Sequence, residues 1–398
     1  MQHAMEPISL EQGLRPLSRL SDRLSLADAG PYAAARALLL SGMERYSVGL
    51  SHALIALLSD PEQRRETALL CRVDAQQQAP PFVPEADSPC GRALLYALLS
   101  TDLCATLAQR MGECPLRQAL HFVLPEFLDE MYRLGNLMML TEKRGAERLL
   151  QGYAEIMPGR PMIACHRHPF DCVQSPLVPA GPLEEMAPLF LCALTEAKKA
   201  FLLFAAGQAQ DALARGLYLE CAQLAEQHAT LFASLLPPKE PLDRLLLCQY
   251  AEGYLYDSCA QDEKIPVLRQ LWLEEEAREL SHIRKAENML RAAGRPVDLP
   301  PFPAPLRLAP CKGYVREILQ AAGVTARRDG YVPVGQLPPG ADFFRYQQRV
   351  CVPPEEAPSH AVVSRLIAAT GSDYRYEIAP HPLEALRNRS QDSLQIGR

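Results

Sequence analysis

The sequence lacks long apolar runs, an excess of positive charge and an abundance of β-branched residues. No stretch approaches the roughly 18–20 apolar residues that a membrane-spanning helix needs, and the longest candidate, 46–59, is flanked by Arg45 and Asp60. The net charge is −6, from 41 Lys and Arg against 47 Asp and Glu. A strongly basic balance is typical of nucleic-acid-binding proteins, so we expect neither a membrane nor a nucleic-acid partner.

Several common motifs are also missing. The Walker loop, the Rossmann glycine fingerprint, the Gly-x-Ser-x-Gly elbow and the His-Glu-x-x-His zinc motif do not occur, and the 22 glycines are scattered. The N-terminus has no basic region followed by an apolar one, so no signal peptide is predicted. Most of the 12 cysteines lie in apolar helical patterns, where a thiol acts as a small hydrophobic group. We therefore expect a reduced, cytoplasmic protein.

What the 398-residue chain does have is helical periodicity, and the predicted fold class is mainly all-α. Ala and Leu dominate, whereas Val, Ile and Thr are sparse. Long helices are predicted at 31–58, 62–78, 91–110, 116–143, 183–207, 211–236, 241–260 and 265–293. The predicted segments are a helical domain at 1–150, an irregular Pro-rich connection at 151–182, a four-helix bundle at 183–295, and 296–398. The last segment is predicted to be a Pro-rich linker with a small α+β appendage, including strands at 331–334, 343–352 and 374–378, and a polar tail.

Each of the four helices between 183 and 293 carries a candidate metal ligand inside an apolar stretch. These candidates are Glu196, His228, Glu252, Glu279 and His282. Glu279 and His282 share one helix face because residues i and i+3 are neighbours on a helix. Glu196 and His228 are 32 residues apart, and Glu252 and His282 are 30 apart. Each interval corresponds to a helix, a turn and a returning helix, so the ligands are expected at similar depth.

This pattern resembles the ferritin-like di-iron or di-manganese carboxylate superfamily over about 110 residues. The resemblance implies a four-helix bundle whose five ligands hold one or two iron or manganese ions and oxidise a small molecule. One position departs from the family: Ala225 stands where a Glu should precede His228 by three residues. Glu226 points about 200° away from His228. The site is then unusual or mononuclear, is completed by another group, or has been lost.

A near-constant offset suggests that the bundle is a tandem duplication, with a degenerate copy at 31–145. Glu44, Gln77, Asp102 and Asp129 precede Glu196, His228, Glu252 and Glu279 by 152, 151, 150 and 150 residues. Asp74-x-x-Gln77 stands where Glu-x-x-His is expected, and Tyr132 replaces a His. Gln is a poor metal ligand. The alternative to a degenerate copy of the bundle is therefore a helical domain at 31–145 that packs against the second bundle.

The segment 165–172 places four metal-binding side chains close together: Cys165, His166, His168 and Cys172. Zinc, a role beside the active cavity, and local bonds to the backbone are the three interpretations. For the whole chain, two functions remain open. One is a non-haem iron or manganese oxidoreductase acting on a small molecule. The other is a metal-free ferritin-like scaffold or binding partner. A homodimer is a candidate assembly for the chain.

Overall fold

The structure is a computed structural model. It describes residues 7–19, 24, 29–78, 88–150, 153, 162, 165–321, 325–327, 331–333, 336, 338–341, 345–346, 349–350 and 357–371. These residues are mainly helical, which confirms the all-α class. None of the described helices combines the length and the apolar character needed to cross a membrane.

Ten helices of the described chain carry the architecture. They are α1 (Pro31–Leu57), α2 (Pro61–Gln77), α3 (Pro89–Gln109), α4 (Pro115–Glu142), α5 (Pro182–Gln208), α6 (Ala212–Ser234), α7 (Pro241–Asp262), α8 (Pro266–Ala292), α9 (Lys312–Ala321) and α10 (Pro358–Thr370). Eight of the ten begin at proline, whose fixed φ suits the first helical position and whose missing N–H costs nothing there. Asp60 and Ser88 cap α2 and α3 by accepting backbone hydrogen bonds. Shorter helical segments are Leu10–Gly13, Leu17–Arg19, Glu147–Leu150 and Pro169–Cys172.

The chain divides into two compact units, and each combines early and late segments of the sequence. Unit 1 comprises 1–85, 176–197 and 235–309, and unit 2 comprises 86–175, 198–234 and 310–398. The predicted segments 1–150, 151–182, 183–295 and 296–398 do not coincide with these units. In particular, α7 and α8 belong to unit 1, whereas α6 belongs to unit 2. The predicted bundle at 183–295 is therefore divided between the units.

Unit 1 contains a ring of four helices. α1 contacts α2 and α7, and α8 contacts α7 and α2. Three-residue loops join α1 to α2 and α7 to α8, so each pair is antiparallel. Leu54 and Leu70 from the first pair meet Leu245 and Leu290 from the second in one buried apolar cluster. The four helices thereby surround a common interior.

Unit 2 is built around α4, which contacts α3, α6, α9 and α10. A short antiparallel hairpin joins β1 (Thr325–Arg327) and β2 (Tyr331–Pro333), and Thr325 pairs with Pro333. β2 lies within the predicted strand 331–334, whereas the described residues of 343–352 are helical. The predicted strand at 374–378 and the polar tail lie outside the described residues. A separate α+β appendage is not shown, because α9 and α10 pack against α4.

Candidate metal centre

Five buried side chains converge inside the helix ring of unit 1, and we call them the carboxylate cluster. α1 supplies Glu44, α2 supplies Asp74, α7 supplies Glu252, and α8 supplies Glu279 and His282. Each is at most 1% exposed. His282 Nδ1 lies 3.1 Å from Asp74 Oδ1 and 3.2 Å from Glu279 Oε2. Asp74, Glu279 and His282 each offer one ligand atom, and these atoms all lie within 4.8 Å of one another.

Neutral donors hold one oxygen of the carboxylates on α1 and α8. Tyr256 donates its hydroxyl to Glu44 Oε1 at 2.7 Å. Gln77 donates its amide to Glu279 Oε1 at 3.1 Å. These bonds orient each carboxylate without cancelling its charge, in the manner of groups that surround a metal-ligand shell.

Ser47 connects the carboxylates on α2 and α7. Its Oγ lies 3.1 Å from Asp74 Oδ2 and 3.1 Å from Glu252 Oε2. A hydroxyl has a single proton to donate, so it satisfies only one of the two carboxylates. The other carboxylate then receives no proton from Ser47. Gln249 donates a further hydrogen bond to Glu252 Oε2 at 2.8 Å.

The second oxygen of every carboxylate in the cluster has no well-directed hydrogen bond, although two of these oxygens lie within ion-pair distance of His282 Nδ1. The four oxygens are Glu44 Oε2, Asp74 Oδ1, Glu252 Oε1 and Glu279 Oε2, and both ring nitrogens of His282 also lack a well-directed hydrogen bond. Within the described part of the chain, no Lys or Arg forms an ion pair with any of the four carboxylates. Each buried charge without a partner reduces the stability of the folded state by roughly several kcal/mol. The cluster therefore needs bound protons or bound cations.

The titration of the cluster reflects this crowding. Burial, followed by the charges of Glu279 and Asp74, raises the pKa of Glu44 well above its ordinary value. Burial and nearby acidic groups do the same to the pKa of Glu252. Burial also raises the pKa of Glu279, although His282 opposes the shift. For His282, burial lowers the pKa, but the carboxylates of Glu279 and Asp74 outweigh burial and hold that pKa well above its ordinary value.

These shifts predict that the metal-free protein loses stability as pH rises. A group whose pKa is raised on folding stabilises fully below its unfolded pKa, and that contribution is lost as pH rises through the folded value. All four shifted groups of the cluster have this sign. We expect the free energy of unfolding, measured with urea and a chelator, to fall as pH rises from about 6.5, the ordinary pKa of histidine, into the mildly alkaline range.

Two variants test the origin of this slope. Glu44→Gln and Glu252→Gln remove titrating groups, so each should flatten the profile. The expected decrease in stability begins near the ordinary pKa of histidine. Below that pH, His228 has the opposite effect, because burial lowers its pKa and its contribution to stability therefore increases with pH. A profile that rises over the mildly alkaline range, or that both variants leave unchanged, would contradict the assignment.

The structure brings together three of the five predicted ligands: Glu252, Glu279 and His282. Glu196 lies in unit 1 but is partly exposed, and it interacts with Tyr46 and Cys192. It is not among the residues with metal-ligand spacing in the described chain.

The structure does not place His228 in the cluster. His228 belongs to unit 2, because α6 packs against α4 and α10 while α7 and α8 pack with α1 and α2. In the cluster, Glu44 stands where the sequence pattern predicts Glu196. Asp74 stands where the pattern predicts a carboxylate at position 225. The sequence signal for them was the near-constant offset, which identified Glu44 and Asp74-x-x-Gln77 as counterparts of ligands.

Carboxylates in the interior of unit 2 are neutralised by cations instead. Arg167 Nη1 lies 2.5 Å from Glu126 Oε1, and His228 Nε2 lies 2.7 Å from Glu126 Oε2. Burial lowers the pKa of His228 despite this carboxylate. Lys198 forms a buried ion pair with Glu130. This interior therefore compensates its own charges.

Two further pairs in unit 2 involve the remaining repeat positions. Asp129 accepts a hydrogen bond from Arg133 at 3.1 Å. Asp102 accepts one from the hydroxyl of Tyr153. Tyr132, the third repeat position on these helices, is also buried. None of these positions belongs to a described group with metal-ligand spacing.

The Cys and His residues of 165–172 make separate local contacts. His168 caps its own short helix by accepting the backbone N–H of Phe170. His166 Nε2 lies 3.6 Å from Glu220 Oε1. In the described chain these residues and the two cysteines do not form a group with metal-ligand spacing. The contacts favour the interpretation of local bonding over that of a zinc site.

Comparison of the chain with protein-family models, with curated proteins and with solved structures gives no match.

Proposed function

We propose that unit 1 is a ferritin-like four-helix bundle that binds iron or manganese in the carboxylate cluster and acts as a non-haem metal oxidoreductase on a small molecule. One observation carries the proposal: four helices each supply a buried carboxylate with one oxygen that has no well-directed hydrogen bond, and a buried imidazole lies within ion-pair distance of two of these oxygens. Open oxygen and nitrogen lone pairs of this kind are what a hard or borderline divalent cation requires.

The charge of the cluster fits two divalent ions. Four ionised carboxylates carry four negative charges, which two divalent cations balance while His282 stays neutral. Asp74, Glu279 and His282 would hold one ion, since their ligand atoms already lie within 4.8 Å of one another. Glu44 and Glu252 would supply the open oxygens for the second ion. Bound iron or manganese supplies the redox chemistry with O2 or peroxide.

The surrounding residues prepare the cluster for this role. Tyr256 and Gln77 fix the orientation of Glu44 and Glu279, while burial excludes water from the centre. Protons held by the carboxyl groups must leave when a cation binds, because only deprotonated groups act as ligands. We therefore expect metal uptake to release protons and to strengthen as pH rises.

Metal analysis and thermal unfolding test the proposal. Protein loaded anaerobically with Fe(II) or Mn(II) should retain about one to two metal ions per chain after desalting. Its Tm should fall when a chelator removes these ions. A ligand that binds only the native state at 100 times its Kd stabilises by about 2.7 kcal/mol. Less than about a tenth of an ion per chain would overturn the metal site. Consumption of O2 by the Fe(II)-loaded protein separates an oxidoreductase from a protein that only binds metal.

One feature favours the second candidate function, a metal-free scaffold or binding partner. Gln77 occupies the position of the second imidazole expected from the resemblance, and its amide donates to Glu275 and Glu279. The centre therefore has one histidine. If the cluster holds protons instead of metal, Tm will be the same with and without a chelator.

A further inference from the structure

The buried position of the carboxylate cluster requires a route by which a cation reaches it. All five side chains are at most 1% exposed, and a metal site needs such a route from solvent. Without one, uptake would depend on local unfolding of the ring. The interface between α1 and α2, which pack against each other, carries a line of polar groups from the exposed His52 to the buried Asp74.

A Cys and His pair marks the outer end of this line. His52 of α1 is exposed, and its Nε2 lies 3.3 Å from Cys71 Sγ on α2. Cys71 is 7% exposed. Asp74 follows Cys71 by three residues, so both side chains lie on one face of α2, about one turn apart. Burial and the nearby carboxylate of Asp74 raise the pKa of the Cys71 thiol, so a cation that binds its sulfur must displace the thiol proton.

Two buried serines of α1, Ser47 and Ser51, lie four residues apart and therefore on one face of the helix. Ser47 contacts Asp74 at 3.1 Å, and Ser51 lies one helical turn further toward His52. Ser51 is fully buried, and its Oγ has no hydrogen-bond partner. Buried hydroxyls normally find a partner, so this open oxygen is suited to a passing cation. We call Ser47, Ser51, His52, Cys71 and Asp74 the α1–α2 seam.

We propose that His52 and Cys71 capture a divalent cation at the surface and pass it through the α1–α2 seam to Asp74. This rests on the proposed metal function of the cluster. Imidazole and thiolate both bind borderline divalent metals such as Fe(II). Two ligands alone make a weak site, and weak binding suits transfer because the ion must leave again.

The rate of metal uptake tests this proposal. Apo-protein is mixed anaerobically with Fe(II), and excess ferrozine is added at timed intervals to trap iron that is not yet buried. In the double variant His52→Ala, Cys71→Ser, iron should be buried about tenfold more slowly, which corresponds to about 1.4 kcal/mol in the barrier. The final iron content should equal that of the unmodified protein.

The matched control is Cys114→Ser, His121→Gln, which removes a partly exposed Cys and His from unit 2. It should take up iron at the unmodified rate. His52→Ala alone replaces an exposed side chain, so it serves if the double variant folds poorly, and it should also slow uptake.

Three outcomes would overturn the capture role. These are unmodified rates in both seam variants, an equal slowing in the control, or a lower final iron content in the seam variants. An unmodified protein that buries no iron would instead refute the proposed function, so the two failures are distinguishable.

Discussion

Replacing Glu279 by glutamine should lower the affinity of the protein for Fe(II) or Mn(II) by at least about 100-fold. The substitution keeps the shape of the side chain, and its amide oxygen still accepts the hydrogen bond that Gln77 donates to Glu279 Oε1. It removes the negative charge and the open oxygen that faces His282. Equilibrium dialysis with metal analysis measures the loss.

The same variant should be more stable than the unmodified protein when both are metal-free. Burial raises the pKa of Glu279, so its charged form is disfavoured in the folded state, and one pKa unit corresponds to about 1.4 kcal/mol. A gain in metal-free stability together with a loss of metal binding is the expected signature of a ligand cluster. Urea unfolding in a chelator measures it.

Glu126→Gln in unit 2 is the matched control. Glu126 is equally buried, but Arg167 and His228 already contact it. The control should therefore lose stability and keep its metal affinity. If both variants lost metal to the same extent, or if Glu279→Gln bound metal normally, Glu279 would not be a ligand.

Replacing Arg167 by methionine should destabilise the protein by about 3–5 kcal/mol. Methionine fills similar space but leaves Glu126 buried without its guanidinium partner. Arg167 also lies over the ring of Phe122 at 4.6 Å, and that cation–π contact is lost as well. Urea denaturation followed by circular dichroism gives the free energy of unfolding.

Two comparisons show that the loss comes from the uncompensated charge. Adding Glu126→Gln to Arg167→Met should recover part of the stability, since the double variant has no buried unpaired carboxylate. Arg65→Met breaks an ion pair with Glu62 in which the side chains are 78% and 66% exposed, and it should change stability by less than about 1 kcal/mol. A loss of that small size for Arg167→Met would contradict the assignment.

The helices were predictable because their signals are local. Proline at the first helical position, caps such as Asp60, and apolar periodicity all act within a few residues. The predicted helix 241–260, for example, is Pro241–Asp262 in the structure. The local pairing of α7 with α8 through a short loop was also expected, and with it the proximity of Glu252 to Glu279 and His282.

The partners of these two helices were not predictable from such signals. α1 with α2 and α5 with α6 are both pairs of long helices joined by three-residue loops, so local signals permit either pair to pack against α7 and α8. Tertiary contacts determine which pair packs against α7 and α8, and the polar residues of the two pairs differ accordingly. Ala225 on α6 lacks the carboxylate that Asp74 supplies from α2. Lys198 on α5 is paired with Glu130 of α4, a cation that a metal-binding interior would exclude.

The interleaved units have a consequence for how the protein is made. Hydrogen bonds inside unit 1 join Ser47 to Glu252, Gln77 to Glu279 and Glu44 to Tyr256 across 205, 202 and 212 residues. During synthesis, α1 and α2 leave the ribosome long before α7 and α8. Until then, the face of α1 and α2 that carries the acidic and apolar side chains of the interior stays exposed to solvent. Contacts this distant in sequence slow folding and expose the nascent chain to aggregation. Cutting the gene at its apparent midpoint would therefore yield two products, neither of which contains a whole centre.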